Sequence, residues 1–159
     1  MEFPRFMAKL AASGATAKYR RPRCVGEIAL KDSRPLETDL ANFRSAVDAA
    51  KPGEALMNAA SPGVLALFQP NDWYPTLDAY LEALGEAMRA EYEAIVGAGF
   101  LLQVDAPDFG MGRHTMYRSA SAGEYLSAAA RHVEVLNHAL RNLPADRMRM
   151  HICWGNYEG

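Results

Sequence analysis

Apolar strand-like runs alternate with amphipathic helical stretches along this chain at intervals of roughly 45 residues, and that rhythm constrains the fold more than any other feature. CVGEIAL (24–30) reads as a short strand. Ser33 and Pro35 then open a helix with Leu36, Leu40, Phe43 and Val47 on one face, which Pro52 and Gly53 end. EALMNAASPGVLAL (54–67) carries a second short strand followed by a Ser-Pro-Gly turn, and a loop occupies 69–75. Thr76 caps a helix reaching about Val96, with Leu77, Tyr80, Leu81, Leu84, Met88, Tyr92 and Ile95 inward. Gly97 and Gly99 stop that helix. FLLQVDAP (100–107) has the continuous apolar text of a buried parallel strand. The loop DFGMGRHTMYRSA (108–120) is long and polar enough to be functional. Ser121 and Glu124 form a capping-box pattern for a helix to about Leu143, with Tyr125, Ala129, Val133, Leu136 and Leu140 inward. RMRMHICWGNYEG (147–159) is the closing strand.

This order predicts an α/β fold with a parallel sheet, either doubly wound or a barrel. No GxGxxG or GxxxxGKS follows any strand, which disfavours a nucleotide fold. A (β/α)8 barrel takes roughly 250 residues, whereas this chain has 159 and three or four strands. The expectation is therefore a partial (β/α)8 TIM barrel over 24–159, preceded by an irregular segment over 1–23. The last strand has no helix after it, so the text reads as a piece of a larger domain. An open parallel sheet exposes unpaired edges, and the isolated chain is expected to order as a homo-oligomer or by swapping elements.

Composition narrows the function classes. Seventeen Lys+Arg against nineteen Asp+Glu give a net charge of -2, with no electrostatic case for nucleic acid or an anionic membrane. The basic run at 20–23 reads as a solvated loop. No apolar stretch nears the ~18 residues of a membrane span, and Cys24 and Cys153 are too few and too far apart for a disulfide scaffold. A soluble protein of the reducing cytoplasm is expected.

In parallel α/β folds the C-terminal ends of the strands build the site. Here those ends hold Ser61, Asp105, His151 and Cys153. His151 and Cys153 are two apart, so in a strand they face one volume and offer one nitrogen and one sulfur, ligand types that suit zinc. The alternative is a buried cysteine beside a hydrogen-bonded histidine. Asp105 suits either a turn carboxylate or an anchor for a substrate ammonium. Ser61-Pro62-Gly63 suits either a tight turn or a backbone donor to substrate. His132 and His138 read as ordinary surface or partly packed histidines, His114 as a residue able to line a site, and Cys24 as structural. Trp73, Tyr74 and Trp154 read as core, rim or pocket wall.

LLQVDAPDF, the Ser-Pro-Gly segment after a short strand, and MHICWGNYEG together resemble the cobalamin-independent methionine synthase family, especially relatives consisting of the catalytic barrel alone, from about Tyr19 onward. The resemblance implies a barrel and a zinc ion that activates a thiol for alkyl transfer, with a methylated folate as donor in methionine synthases. The similar epoxyalkane:coenzyme M transferases open an epoxide instead. By this resemblance His151 and Cys153 match the family's His-x-Cys zinc ligands, Asp105 matches the aspartate that contacts the amino group of an amino-acid thiol, and Ser61 lies near substrate. Ala106 stands where methionine synthases carry Glu and, with Trp154 and Asn156, points to the less characterised relatives. The family's first two strands and its later zinc ligands have no counterpart within 1–159. The chain matches about three central βα units, with 24–30 as a peripheral strand, and the expected product is an incomplete, inactive piece of the enzyme. A non-catalytic remnant that folds as an oligomer is the alternative.

Overall fold

The computed structural model describes residues 22–153 together with Pro4, Arg5 and Ala8. Most of the irregular segment expected over 1–23 lies outside the described residues, as do Trp154 and Asn156. The described part is a mixed α/β structure around a parallel sheet of three strands, β1 (Leu56–Ala60), β2 (Leu101–Asp105) and β3 (Met148–His151), in the order β1-β2-β3. Four helices accompany it: α1 (Arg34–Ala50), α2 (Pro62–Phe68), α3 (Leu77–Gly97) and α4 (Ala122–Ala139).

Local chemistry sets the helix ends. Thr76 accepts the Ala79 N–H, and Ser121 and Glu124 close a reciprocal capping box. At the end of α1, Lys51 takes the left-handed conformation (φ 49°) and its N–H returns to Val47. Gly99 (φ 85°) turns the chain from α3 into β2. α4 ends at Ala139, a turn earlier than its sequence pattern predicts. Its last carbonyls are taken by tight turns in which the Arg141 N–H reaches His138 and the Leu143 N–H reaches Leu140.

Two sequence expectations fail. The segment 24–30 is not a strand: Cys24 alone bridges to Asn71, through hydrogen bonds to Pro70 and Asp72, and beyond it the Ile28 N–H is taken by the Tyr74 hydroxyl. The peripheral strand is thus a single bridge. Nor is Ser-Pro-Gly a free-standing turn. Ser61 is the N-cap of α2, Pro62 fills the first helical position, and the apolar residues that follow form a helix.

The sheet has two unlike faces, because residues in register on parallel strands point to the same side. Met57, Ala59, Leu102, Val104 and Met148 form the covered face. Tyr92 and Ile95 of α3, Leu136 and Ala139 of α4, and Phe43 and Val47 of α1 pack on it. Each large side chain removed from water there contributes ~1.5–3 kcal/mol. The opposite face carries Asn58, Gln103 and Arg149 in one row and Ala60, Asp105 and His151 in the next. Asn58, Arg149 and His151 are exposed. Arg149 donates to Gln103 across the strands at 2.8 Å.

Candidate functional site

Asp105 and His151 are the last residues of β2 and β3 and stand in register on the open face. His151 Nε2 lies 3.8 Å from Asp105 Oδ1, with both side chains about half exposed. That separation is too long for a hydrogen bond. Their backbones are better fixed than their side chains. The Asp105 carbonyl accepts the Ser61 N–H at 2.9 Å, and the His151 carbonyl accepts the Ala106 N–H at 2.9 Å. Cys153 follows two residues beyond β3 and is half-buried. The structure therefore gathers Asp105 and His151 at one sheet edge, with Cys153 next along the chain.

Ser61 sits at the same edge, turned the other way. It is 1% exposed. Its hydroxyl accepts the Val64 N–H at 3.1 Å and donates to Asp108 Oδ1 at 2.6 Å. Its own N–H belongs to the sheet. The carboxylate it meets is the centre of a buried cluster. Asp108 Oδ2 lies 2.9 Å from His132 Nδ1, and His132 Nε2 lies 3.3 Å from the Tyr117 hydroxyl. Carboxylate oxygens only accept, which assigns a proton to Nδ1, and a neutral imidazole with that proton leaves Nε2 to accept from the Tyr117 hydroxyl. Tyr125 from α4 donates to the Phe109 carbonyl at 2.6 Å, tying down the same loop. Burial, and then the charge of Asp108, push the Tyr117 and Tyr125 phenols above their ordinary range.

The arrangement is not a serine nucleophile. In a Ser-His-carboxylate triad the imidazole stands between hydroxyl and carboxylate and takes the serine proton. Here the carboxylate is in the middle, and the hydroxyl is closed off from solvent. Gly63 completes the enclosure, since a Cβ at that position would stand 2.1 Å from Asp108 Oδ2 and 2.5 Å from His132 Nδ1.

The sequence does not single out Asp108 and offers His132 only as an ordinary surface or partly packed histidine, whereas both are buried, at 4% and 5% exposure. A signal for His132 existed. It lies three residues after Ala129 and four before Leu136, on the buried stripe of α4, whereas Val133, expected inward, is 43% exposed. His138 is a surface residue paired with Glu86, as expected, and His114 is exposed on a short turn. Cys24 is buried in an apolar cluster with Ala66, Tyr80 and Leu84.

Grooves open on the surface of the described residues. One of about 580 Å³ runs between 27–30, Trp73, Tyr74 and α3, and one of about 470 Å³ runs between α3 and α4. Neither is lined by Asp105, His151 or Cys153. Among the described residues no three His, Cys, Asp or Glu side chains gather closely enough to hold a metal ion, and no helix is long and apolar enough to cross a membrane. The donor set at the edge of β3, one imidazole and one thiol, corresponds to half of a tetrahedral zinc shell. Comparison with known proteins returns no matching family, no matching curated protein and no matching solved structure.

Proposed function

We propose that the chain carries part of a zinc-dependent site for alkyl transfer to a thiol, of the methionine synthase kind, on a segment of a (β/α)8 barrel. The observation that carries the reading is the in-register pair of Asp105 and His151 on the open face, with Cys153 two residues on. Two features of the fold support a barrel segment. Each connection moves the chain to the adjacent strand, and α1, α3 and α4 pack on the same sheet face.

His151 and Cys153 would hold the metal, and the rest of its shell comes from outside the described residues, from a second copy or from the substrate thiol. Zinc, when bound, lowers the pKa of a coordinated thiol and makes it nucleophilic at neutral pH. Asp105 has a separate task. Its carboxylate, beside the imidazole on the open face, is placed to receive the ammonium of an amino-acid thiol and so orient the sulfur toward the alkyl donor. The Ser61 and Ala106 hydrogen bonds keep the two strand ends abreast while the substrate is exchanged.

The test is metal content of the purified chain by mass spectrometry, with cobalt substitution to read thiolate coordination optically. Wild type should hold stoichiometric zinc, and both His151→Ala and Cys153→Ser should lose it. The cobalt–thiolate absorption should vanish in Cys153→Ser. Methyl transfer to homocysteine, with other thiols in parallel, then reads the acceptor when assayed on a complete barrel that carries this segment. Zinc that is indifferent to both substitutions, or absent from the folded protein, sinks the reading.

A further inference from the structure

The geometry points to Asp108 and His132 as positioning residues that hold the C-terminal edge of the sheet, and with it Asp105 and His151, in place. This inference rests on the proposed site for its functional meaning, but its physical content is independent of zinc.

Three elements that are far apart in sequence meet at the Asp108 carboxylate. Ser61 brings the end of β1 and the start of α2, His132 brings α4, and Asp108 belongs to the loop leaving β2. Ser61 is the transmitting residue. Its hydroxyl is held by Asp108 while its N–H is bonded to the carbonyl of Asp105. Fixing the carboxylate therefore fixes the ladder bond beside Asp105, and Ala106 N–H passes the same constraint to His151. In the hydrogen-bonded series Ser61–Asp108–His132–Tyr117 every side-chain polar atom has a partner, and its first three members are almost fully buried. A cluster serving stability alone would need no link to the strand ends. This one is bonded to them directly.

The test is amide hydrogen exchange on the full chain, read at Ser61 and Ala106 at the site edge and at Leu101, whose N–H bonds to Ala55 at the opposite end of the sheet. Asp108→Ala should speed exchange at Ser61 and Ala106 about tenfold or more relative to Leu101, because local opening is selective. Equal acceleration at all three, or none, overturns the inference. Should Asp108→Ala fail to fold, Asp108→Asn with ¹⁵N spectroscopy of the imidazole decides. The wild-type His132 proton should sit on Nδ1 and move to Nε2 in D108N, where the amide donates in place of accepting. A wild-type proton on Nε2 removes the bond on which the inference stands. Zinc titration separates the two proposals. If wild type binds zinc, Asp108→Ala should weaken it several-fold by loosening the strand end that carries His151, and unchanged affinity overturns positioning. If wild type binds none, the zinc reading falls and exchange alone decides the role of Asp108.

Discussion

Two groups of ionisable residues lie at the same end of the sheet and are built on opposite terms. Asp105 and His151 are half exposed and 3.8 Å apart, with no hydrogen bond between their side chains. Asp108 and His132 are almost fully buried and 2.9 Å apart, and every polar atom is accounted for. A buried carboxylate costs several kcal/mol to desolvate and survives only with its partners in place, whereas an exposed one is solvated and tolerates change. The open pair is thus free to exchange ligands, and the closed pair is a fixed support behind it. Substitutions should separate the two groups sharply.

The largest effect is expected at Gly63→Val. The first side-chain atom alone would overlap Asp108 and His132, and a branched side chain cannot turn away from both. Urea denaturation should register a loss of about 3 kcal/mol or more, or no folded protein. A variant as stable as wild type would mean that α2 can shift without disturbing the cluster, and the rigidity argued for it would be lost. Asp108→Ala comes next, at about 2–3 kcal/mol, since it strands the buried His132 Nδ1–H and the Ser61 hydroxyl.

The contrast also explains what was legible in the sequence. The open residues were found because they end apolar strands, a local pattern in which period and position declare themselves. The long helices were found for the same reason: Thr76 and the Ser121–Glu124 box are local devices, and they cap where their spacing says. The closed cluster joins positions 61, 108 and 132, and nothing in the text around any one of them points to the others. Ser61 was noticed for its place at a strand end, but its role as a helix cap depended on Val64–Phe68 being helical. A short apolar run does not decide that by itself. His132 was hidden by its own chemistry. A polar residue at an ambiguous helical angle is read outward, and only the carboxylate waiting in the β2–α4 loop makes its burial affordable. The segment 24–30 failed in the reverse sense, with apolar content suited to a strand but only one bridge to sustain it.

On the open side, His151→Ala should change stability by less than about 0.5 kcal/mol, as exposed substitutions do, while abolishing metal binding if the proposed site is real. Thermal denaturation and metal analysis on one preparation read both quantities. A stability loss near that of Asp108→Ala would show that the two groups are not as different as their burial implies.

The one expected gain concerns a charge with neither arrangement. Glu91 on α3 is half-buried and has no hydrogen bond or ion pair among the described residues; burial, and then the nearby charge of Asp39, raise its pKa above the ordinary 4.5. The native chain therefore holds this proton to higher pH than the unfolded chain does. Between the two values it binds more protons, so stability falls as pH rises through that window, and the ionised form is the costly one at neutrality. Glu91→Gln removes the cost. It should raise the melting temperature at pH 7, and the gain should fade as the pH drops below the ordinary carboxylate value. At a half-solvated position the gain stays below about 1 kcal/mol. A gain of the same size at pH 3.5 and pH 7 would assign the effect to something other than charge. A loss at pH 7 would mean that the Glu91 carboxylate is supported, as that of Asp108 is, by partners beyond the described residues.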